Sequence, residues 1–430
     1  MKSARSAAFD ALKRVNKGAY STIALDAVLA EAQLSERDSA LAAAIFYGVL
    51  EKQELLDNLI KGCVTRPGTR IKPDVRIILR MGIYQLGFMD KIPDNAAVDQ
   101  SVALARQCGL GGVSGFINAL LRGYIRQGKP VPAEEHGCPL WLKTLWTDSY
   151  GEDICRGLLA GLSGRPPLYA RVNTLRTDEH TLIGLLAEHG VEARPVEWLA
   201  GALELSAAGD ISKLPPFTEG LLHIQDISSQ LCCAALCAQA GERILDVCSA
   251  PGGKAFTTAQ LMGGAGEITA CDIHPHRVEL IASGAKRLGL EGIIRPTVRD
   301  GLCDDGITAD RVLCDVPCSG LGVIRRKPDI MSKPQEEIEG LPALQLDILE
   351  HSAKALSSGG VLVYSTCTLN PRENGDVVAA FLSKHKEFEP LPLQLPAKAD
   401  SIIKEPDHCR TIFPQVTGGD GFFVARMIKR

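Results

Sequence analysis

A stretch of ten residues, Leu245–Lys254, places the strongest constraint on what this chain can fold into. It overlaps an apolar run, Arg243–Val247, that predicts a buried strand. A proline and two glycines follow, and the stretch Ala255–Met262 then predicts a helix. A strand, a tight glycine turn and a helix form the first part of a nucleotide-type αβ unit. In such a unit glycine lets the backbone approach a ligand closely, and the helix N-terminus offers N–H groups.

The spacing of residues in and after this turn narrows the class of ligand. The turn lacks the G-x-G-x-x-G spacing of dinucleotide sites and the G-x-x-x-x-G-K-[ST] spacing of triphosphate sites. Asp272 lies 20 residues after Gly252, at the end of a second predicted strand, Glu267–Cys271. An acid there can accept hydrogen bonds from ribose hydroxyls. The pattern favours an adenosine ligand such as S-adenosylmethionine, although on the glycines alone an ordinary strand-to-helix turn remains an alternative.

Charge is distributed unevenly along the chain. Residues 1–130 contain 18 Lys and Arg against 12 Asp and Glu, whereas the remainder contains 29 against 39. A basic segment favours a polyanionic partner, but a surplus of this size is also common on solvated helices. The sequence has neither an apolar run of membrane-spanning length nor a signal-peptide core, so we expect a cytoplasmic protein. The 14 cysteines include no C-x-x-C pair, and we expect no metal site.

Apolar residues recur with helical periodicity through the first 130 residues, which predicts an all-helical bundle. The clearest helices are Asp74–Phe88, Ala96–Arg106 and Val113–Ile125, and Ser35 followed by Asp38 is typical of a helix start. Five basic residues cluster in and after one loop, where they either meet phosphates or are simply solvated; they are Arg66, Arg70, Lys72, Arg76 and Arg80.

The second half of the chain follows a different pattern. Residues 128–139 are rich in proline and predict a linker, residues 141–162 are helical again, and a small αβ segment ends near Leu222. From His223 onward strands alternate with helices such as Pro275–Leu288 and Leu341–Leu356, which predicts a parallel sheet covered on both faces. Residues 411–428 predict a hairpin. The predicted strands are Arg243–Val247, Glu267–Cys271, Ile293–Val298, Arg311–Cys314 and Val361–Tyr364.

Polar motifs follow these strands at their carboxyl ends, where open sheets of this kind bind ligands. They are Cys248–Lys254, Asp272, Asp300, Asp315–Cys318 and Ser365–Cys367. A single cysteine at a strand end is usually core filling. Two of them beside an adenosine site indicate chemistry on a pyrimidine, because a thiolate that adds to carbon 6 makes carbon 5 nucleophilic. After carbon 5 has been methylated, a second group can assist the elimination of the thiol from carbon 6. Asp315 can hold the base edge of cytosine.

The combined pattern resembles the RNA cytosine-5 methyltransferases over residues 140–430. Two N-terminal stretches, Arg76–Leu86 and Phe116–Arg122, look like a NusB-type RNA-binding domain, which narrows the resemblance to the RsmB-type (Sun/Fmu) 16S ribosomal RNA enzymes. One departure is Ala255, where the family often has threonine. The other matching motifs are His223–Asp226 with Ser229-Gln230, Asp272–Arg277, Asp315–Gly320, Arg325–Asp329, Asn370–Asn374 and Asp420–Phe423.

The resemblance assigns roles to individual residues. It implies that the strands before Cys318 and Cys367 are neighbours in the sheet, so that both cysteines emerge at the same edge. It also implies that Cys367 is the nucleophile and that Cys318 assists product release. The basic run Arg325–Lys327 is either a phosphate clamp for RNA or a solvated loop. The resemblance also implies an S-adenosylmethionine site lined by Cys248, Ser249, Ala250, Pro251, Gly252, Gly253, Lys254, Asp272, Asp300 and Asp315.

The expected architecture is therefore multidomain. We predict an all-α NusB-like domain at residues 1–130, a small α/β linking domain at 140–222, and a C-terminal α/β Rossmann-like class I methyltransferase domain at 223–430. The expected activity is methylation of cytosine carbon 5 in 16S ribosomal RNA, by a monomer that binds no membrane. The same chemistry on transfer RNA and a non-catalytic RNA-binding or assembly factor remain alternatives, and retention of both cysteines argues against the second.

Overall fold

The structure, a computed structural model of the chain, describes residues 2–66, 68–131, 138–162, 164, 166–206, 209–304 and 306–430. These residues divide into two compact units. The first contains the residues through Thr147 together with Leu159–Gly164 and Ile324–Lys333, and the second contains the rest. Part of the predicted linker, residues 132–137, lies outside the described residues.

The first unit is built on a bundle of helices, which confirms the all-helical prediction for the N-terminal segment. Local signals define several helix ends: the Ser35 hydroxyl accepts a hydrogen bond from the Asp38 amide at 3.1 Å, and Pro73 occupies the first turn of its helix. The bundle helices are α1 (Ala4–Val15), α2 (Ser21–Ala32), α3 (Glu36–Glu51), α4 (Gln53–Cys63), α5 (Pro73–Phe88), α6 (Asp94–Gln107) and α7 (Ser114–Arg126). Their apolar faces form one core.

The predicted helical stretch 141–162 consists of two helices, α8 (Leu140–Tyr150) and α9 (Glu152–Ala160). The break falls at Gly151, whose φ of 84° is incompatible with a continuous helix. The prediction that this stretch is helical is confirmed, and Gly151 divides it into two helices.

One member of the predicted basic cluster has a structural role. Arg80 is buried and donates two hydrogen bonds to the Asp57 carboxylate, at 2.8 and 2.6 Å. A guanidinium held in this way is unavailable to phosphate, so Arg80 does not belong to an RNA-contacting cluster. Lys61, Arg66 and Arg76 instead line a cavity of about 430 Å³ beside this pair.

The second unit begins with a small antiparallel sheet in the strand order β2-β3-β1-β4. Leucine and valine side chains between this sheet and α10 (Glu179–Glu188) form its core, and the short helix α11 (Pro215–Thr218) precedes the last strand. The His223 region therefore belongs to this small sheet, because β4 pairs with β1. The strands are β1 (Leu168–Val172), β2 (Glu192–Pro195), β3 (Ala202–Ser206) and β4 (Leu222–Ile224).

The large sheet of the second unit has the strand order β10-β12-β9-β8-β5-β6-β7, with β11 paired to β12. Strands β5 to β9 are parallel to their neighbours, whereas β12 runs antiparallel to β9, β10 and β11. The five strands predicted to form a parallel sheet are parallel to one another, and the strands of the predicted hairpin extend this sheet in the antiparallel direction. The strands are β5 (Arg243–Asp246), β6 (Glu267–Asp272), β7 (Ile294–Val298), β8 (Ala309–Asp315), β9 (Leu356–Thr366), β10 (Phe388–Pro390), β11 (Cys409–Ile412) and β12 (Phe422–Lys429).

Helices connect the strands of the large sheet and cover it. The predicted helix Pro275–Leu288 matches the structure at both ends, and the predicted C-terminal hairpin is formed by β11 and β12 with a short helix between them. The helices are α12 (Ile227–Leu236), α13 (Gly253–Leu261), α14 (Pro275–Leu288), α15 (Leu341–Lys354), α16 (Gly375–Lys384) and α17 (Pro414–Thr417). None of the described helices is long and apolar enough to cross a membrane.

Candidate active site

The two cysteines singled out in the sequence meet at the carboxyl edge of the large sheet. β8 and β9 are parallel neighbours with Asp315 opposite Ser365, so the loops that follow them start side by side. The Sγ atoms of Cys318 and Cys367 are 3.1 Å apart. This distance is too long for a disulfide bond, which is about 2.05 Å, and corresponds to two thiols in contact. Their juxtaposition follows from the predicted strand order.

The surroundings of Cys318 favour its neutral form. The contact with Cys367 and burial raise the pKa of the Cys318 thiol well above its ordinary value, and the nearby charges of Cys367, Glu373 and Asp315 act in the same direction. In a hydrogen bond between a thiol and a thiolate, the protonated sulfur is the donor. Cys318 is therefore the hydrogen-bond donor when Cys367 is a thiolate.

A backbone contact holds the loop that carries Cys318. The Gly322 amide donates to the Cys367 carbonyl at 3.1 Å, and the Gly421 amide donates to the Gly322 carbonyl at 2.8 Å. A Cβ at position 322 would lie 1.9 Å from the Gly421 carbonyl oxygen, so only glycine permits this approach. Sequence reasoning quoted Gly421 within a motif but gave neither glycine a role.

The end of the glycine turn is tied to the cysteine edge by an ion pair. Lys254 Nζ donates to Asp315 Oδ2 at 2.7 Å, and the Ser365 hydroxyl donates to Asp315 Oδ1 at 2.7 Å. Burial acts to lower the pKa of Lys254, but the charge of Asp315, the hydrogen bond to it and the charges of Cys232 and Cys233 together outweigh burial, so the pKa is raised. Gly252, just before the helix that carries Lys254, has a φ of 105°, and a Cβ there would meet the Phe256 ring at 2.4 Å.

Asp272 lies at the end of β6 and is 3% exposed. Its Oδ1 accepts a hydrogen bond from the His274 amide at 3.1 Å, and its Oδ2 pairs with Arg277 Nη1 at 3.1 Å. Arg277 also donates through Nη2 to the Ala250 carbonyl at 3.0 Å, which joins the glycine turn to the second strand end. Asp300 follows β7 and accepts a hydrogen bond from the Leu302 amide at 3.0 Å.

The residues at this edge of the sheet are suited to bind S-adenosylmethionine, the ligand that the sequence indicated. The strand ends present the carboxylates of Asp272, Asp300 and Asp315 on one side of the sheet, and α13 begins there with Gly253. Carboxylate oxygens accept hydrogen bonds from ribose hydroxyls and from an ammonium group, both of which S-adenosylmethionine has. The turn that includes Cys248, Ser249, Ala250 and Pro251 is held by the Ser249 amide, which donates to the Cys271 carbonyl at 2.7 Å.

Glu373, which the sequence indicated only as a member of the motif Asn370–Asn374, is buried beside the loops that carry the two cysteines. Glu373 is 0% exposed and accepts hydrogen bonds from Ser319, Gln345 and Asn370. The sequence offers only a carboxylate six residues after the proposed nucleophile, and its burial appears only in the folded structure. The basic run Arg325–Lys327 lies in the segment Ile324–Lys333, which groups with the first unit, and its interpretation as a phosphate clamp stays a prediction.

Family models match three consecutive parts of the chain. Residues 2–126 match the NusB family, residues 138–212 match a ferredoxin-like domain of RsmF/B-like methyltransferases, and residues 233–428 match the 16S rRNA methyltransferase RsmB/F. The matches follow the order expected from the sequence: a helical domain, a small α/β domain and a methyltransferase domain.

Similar proteins cover nearly the whole chain. A probable ribosomal RNA small subunit methyltransferase B of Bacillus subtilis is 36% identical over 450 residues, covering 100% of this chain and 99% of the relative. The ribosomal RNA small subunit methyltransferase B of Pseudomonas putida is 33% identical and covers 92% of each chain. These relatives share both the helical and the methyltransferase portions of the sequence.

Solved structures share the fold. The crystal structure of PH0851 matches with a TM-score of 0.85 at 26% identity and covers 98% of both chains. That of NSun6 from Pyrococcus horikoshii with SFG matches with a TM-score of 0.60 at 22% identity, covering 68% of this chain and 98% of that one. The second match shows the fold alone.

Proposed function

The chain belongs to the 16S rRNA methyltransferase RsmB/F family of S-adenosylmethionine-dependent enzymes, and we propose that it methylates carbon 5 of a cytosine in 16S rRNA through a covalent cysteine adduct. The observation that carries the proposal is the contact of two thiols, 3.1 Å apart, at the carboxyl edge of the large sheet. Methylation of an oxygen or of an exocyclic nitrogen needs no such pair, because those atoms are nucleophilic without covalent activation.

Cys367 is the proposed nucleophile, as the resemblance to the RNA cytosine-5 methyltransferases implies. Its thiolate forms a bond to carbon 6 of the cytosine, and the electron pair moves to carbon 5. Carbon 5 then takes the methyl group that S-adenosylmethionine supplies. The adduct resolves when a base removes the remaining proton from carbon 5, the ring double bond re-forms, and the carbon–sulfur bond breaks with its electron pair returning to Cys367.

Cys318 is placed to take part in this last step. The hydrogen bond to Cys367 is the largest cause of the raised pKa of Cys318, and the charge on Cys367 adds to it. Neither persists once Cys367 is a thioether bonded to carbon 6. Cys318 then loses its proton to water more readily, and the resulting thiolate can accept the proton from carbon 5. Asp315, which pairs with Lys254 at 2.7 Å, is the acid proposed to hold the base edge of cytosine.

Cys248–Lys254, Asp272, Asp300 and Asp315 are the residues proposed to hold S-adenosylmethionine, with Asp272 on the ribose. Asp272→Ala removes a hydrogen bond to a charged acceptor, which is worth about 1.5–3 kcal/mol. Calorimetry should therefore find donor affinity weakened by about ten- to more than a hundredfold. The matched control is Asp310→Ala, since Asp310 lies near the opposite end of β8 and pairs with Arg243. Equal affinities in the two variants would contradict the assignment.

The helical unit is proposed to bind the RNA backbone through the cations lining its cavity. In full-length protein, changing Arg66 and Arg76 to alanine should weaken RNA binding at low salt. If each residue contacts one phosphate, the slope of log affinity against log salt should shrink by about 1.4–1.8. Arg14→Ala is the control, because Arg14 is hydrogen-bonded to Glu31 at 2.8 and 2.9 Å, whereas Arg76 lies 4.0 Å from Asp57, beyond hydrogen-bond distance. An unchanged slope in the double variant would assign this surface to another role.

The two alternative functions named in the sequence analysis can be tested against the same observations. The same chemistry on transfer RNA is disfavoured by the NusB match, and a non-catalytic assembly factor would not require the thiol pair. Transfer of labelled methyl groups from S-adenosylmethionine to ribosomal and transfer RNA separates these functions. Mapping 5-methylcytosine in RNA from cells with and without the gene identifies the nucleotide. We expect activity in the cytoplasm, by a monomer.

A further inference from the structure

We infer that Glu373 is a positioning residue that holds Cys318 against Cys367 for the release of the methylated cytosine. The inference rests on the proposed function and concerns a residue that touches neither reacting sulfur in the contacts described above. Glu373 ends a short 3-10 turn, Pro371–Glu373, that follows the cysteine at the end of β9. Its side chain is fully buried, at 0% exposure.

Four hydrogen bonds converge on the Glu373 carboxylate. Ser319 donates twice, from its amide to Oε2 at 2.8 Å and from its hydroxyl to Oε1 at 2.5 Å. Gln345 Nε2 donates to Oε2 and Asn370 Nδ2 donates to Oε1, both at 2.9 Å. A buried carboxylate is stable only when its lone pairs are satisfied in this way, so the arrangement fixes the positions of all three donor residues.

These donors come from both sides of the cysteine pair. Ser319 directly follows Cys318, and Gln345 Nε2 also donates to the carbonyl of Pro317, the preceding residue, at 2.9 Å. The Cys318 backbone is thus held at both of its neighbours. On the other loop, Thr368 directly follows Cys367 and its hydroxyl lies 2.7 Å from that of Ser319. One carboxylate therefore links the two loops at the residues next to each sulfur.

The link matters more for Cys318 than for Cys367. Cys367 directly follows Thr366, the last residue of β9, and β9 is paired on both sides, with β8 and with β12. Cys318 lies three residues beyond the end of β8, in a loop without strand pairing. Loosening the Glu373 contacts should leave the nucleophile in place and displace the partner thiol. A defect in adduct release, with attack retained, is the expected signature.

The decisive variant is Glu373→Gln, tested in the full-length protein with RNA and S-adenosylmethionine. The amide has one acceptor oxygen, and its NH₂ group faces donors from Ser319, Gln345 or Asn370, so at least one hydrogen bond is replaced by a repulsive contact. We expect the release rate to fall about tenfold or more, and a protein–RNA adduct to accumulate on denaturing gels as it does for Cys318→Ala. Glu373→Asp, which keeps both acceptors, should restore part of the release rate.

Tyr364→Phe is the matched structural control. The Tyr364 hydroxyl donates to the backbone carbonyl of Glu373 at 2.6 Å and does not bond its carboxylate. This variant removes a buried hydrogen bond from the same cluster, so it should lower stability without adduct accumulation. Ser319→Ala, which removes one of the four bonds, should accumulate adduct to a smaller extent, and it tests the inference even if Glu373→Gln does not fold.

Three results would overturn the inference. In the first, Glu373→Gln and Ser319→Ala lose attack and release together, in proportion to their loss of thermal stability, which makes Glu373 a purely structural residue. In the second, both variants release product at the normal rate while Cys318→Ala accumulates adduct, which leaves the proposed function intact. In the third, Cys318→Ala itself forms no adduct with any RNA, which removes the proposed function as well.

Discussion

The Cys318→Ala protein should attack its cytosine and then fail to let it go. Cys367 keeps its place at the end of β9, whereas the thiol 3.1 Å from it is removed. The variant should therefore accumulate a protein–RNA adduct that survives denaturing electrophoresis. Cys367→Ala should form no adduct, and its methylation rate should fall on the order of a thousandfold or more, because the nucleophile itself is missing.

The choice of RNA and controls determines how this result is read. The base must leave its stack to reach the thiols, so the substrate should present a single-stranded or loop cytosine. Cys108→Ala is the matched control, since Cys108 is an exposed thiol in the helical unit. Circular dichroism and donor binding establish that both active-site variants are folded. An adduct in Cys367→Ala that is absent from Cys318→Ala would reverse the two roles.

A second large effect is expected from Lys254→Met. The change leaves the Asp315 carboxylate, whose side chain is 23% exposed, without its cation and bonded to Ser365. Removing one member of a largely buried ion pair costs about 3–5 kcal/mol, because the other charge stays desolvated. Urea unfolding of the full-length protein followed by circular dichroism should show this loss of free energy of unfolding.

Two further variants separate desolvation from a general effect of losing a lysine. Lys384 pairs with Glu350 at 2.9 Å, but its side chain is 56% exposed, so Lys384→Met should cost about 0–1 kcal/mol. Adding Asp315→Asn to Lys254→Met removes the uncompensated charge and should recover part of the stability. A loss in Lys254→Met no larger than that in Lys384→Met would contradict this account.

The elements best predicted from the sequence are those with local signals at both ends. The helix Pro275–Leu288 begins with a proline in its first turn and is followed by Gly289, with a φ of 71°. Both signals can be read from the chain without knowledge of the fold. The glycine turn before α13 was identified for the same reason, because its conformation depends on the residues within it.

Features that depend on distant pairing were missed. β9 begins at Leu356, five residues before the predicted start, because Leu356 pairs with Ala309 of β8 although the next four residues are serine and glycine. The placement of β12 beside β9 likewise depends on partners about sixty residues away. Tertiary pairing of this kind overrides local propensity.

The candidate site also combines a feature that could be predicted from the sequence with one that could not. That Cys318 and Cys367 would share one edge followed from the expectation that their strands are neighbours, and the 3.1 Å contact agrees with it. The role of Glu373 could not be predicted, because its donors come from three separate places in the chain, at residues 319, 345 and 370. Only the folded structure brings them to one carboxylate.

The position of β12 in the chain has a consequence for protein synthesis. Gly421 and Phe422–Lys429 are translated after both cysteines, yet they supply the antiparallel neighbour of β9 and the contact that holds Gly322. Before these residues are translated, the glycine turn can form and the first parallel strands can pair. β9, the strand that precedes Cys367, still lacks its antiparallel neighbour β12. A nascent chain that ends before residue 420 should therefore be unable to form an adduct with RNA. We therefore expect Cys367 to act as a nucleophile only after β12 has been translated.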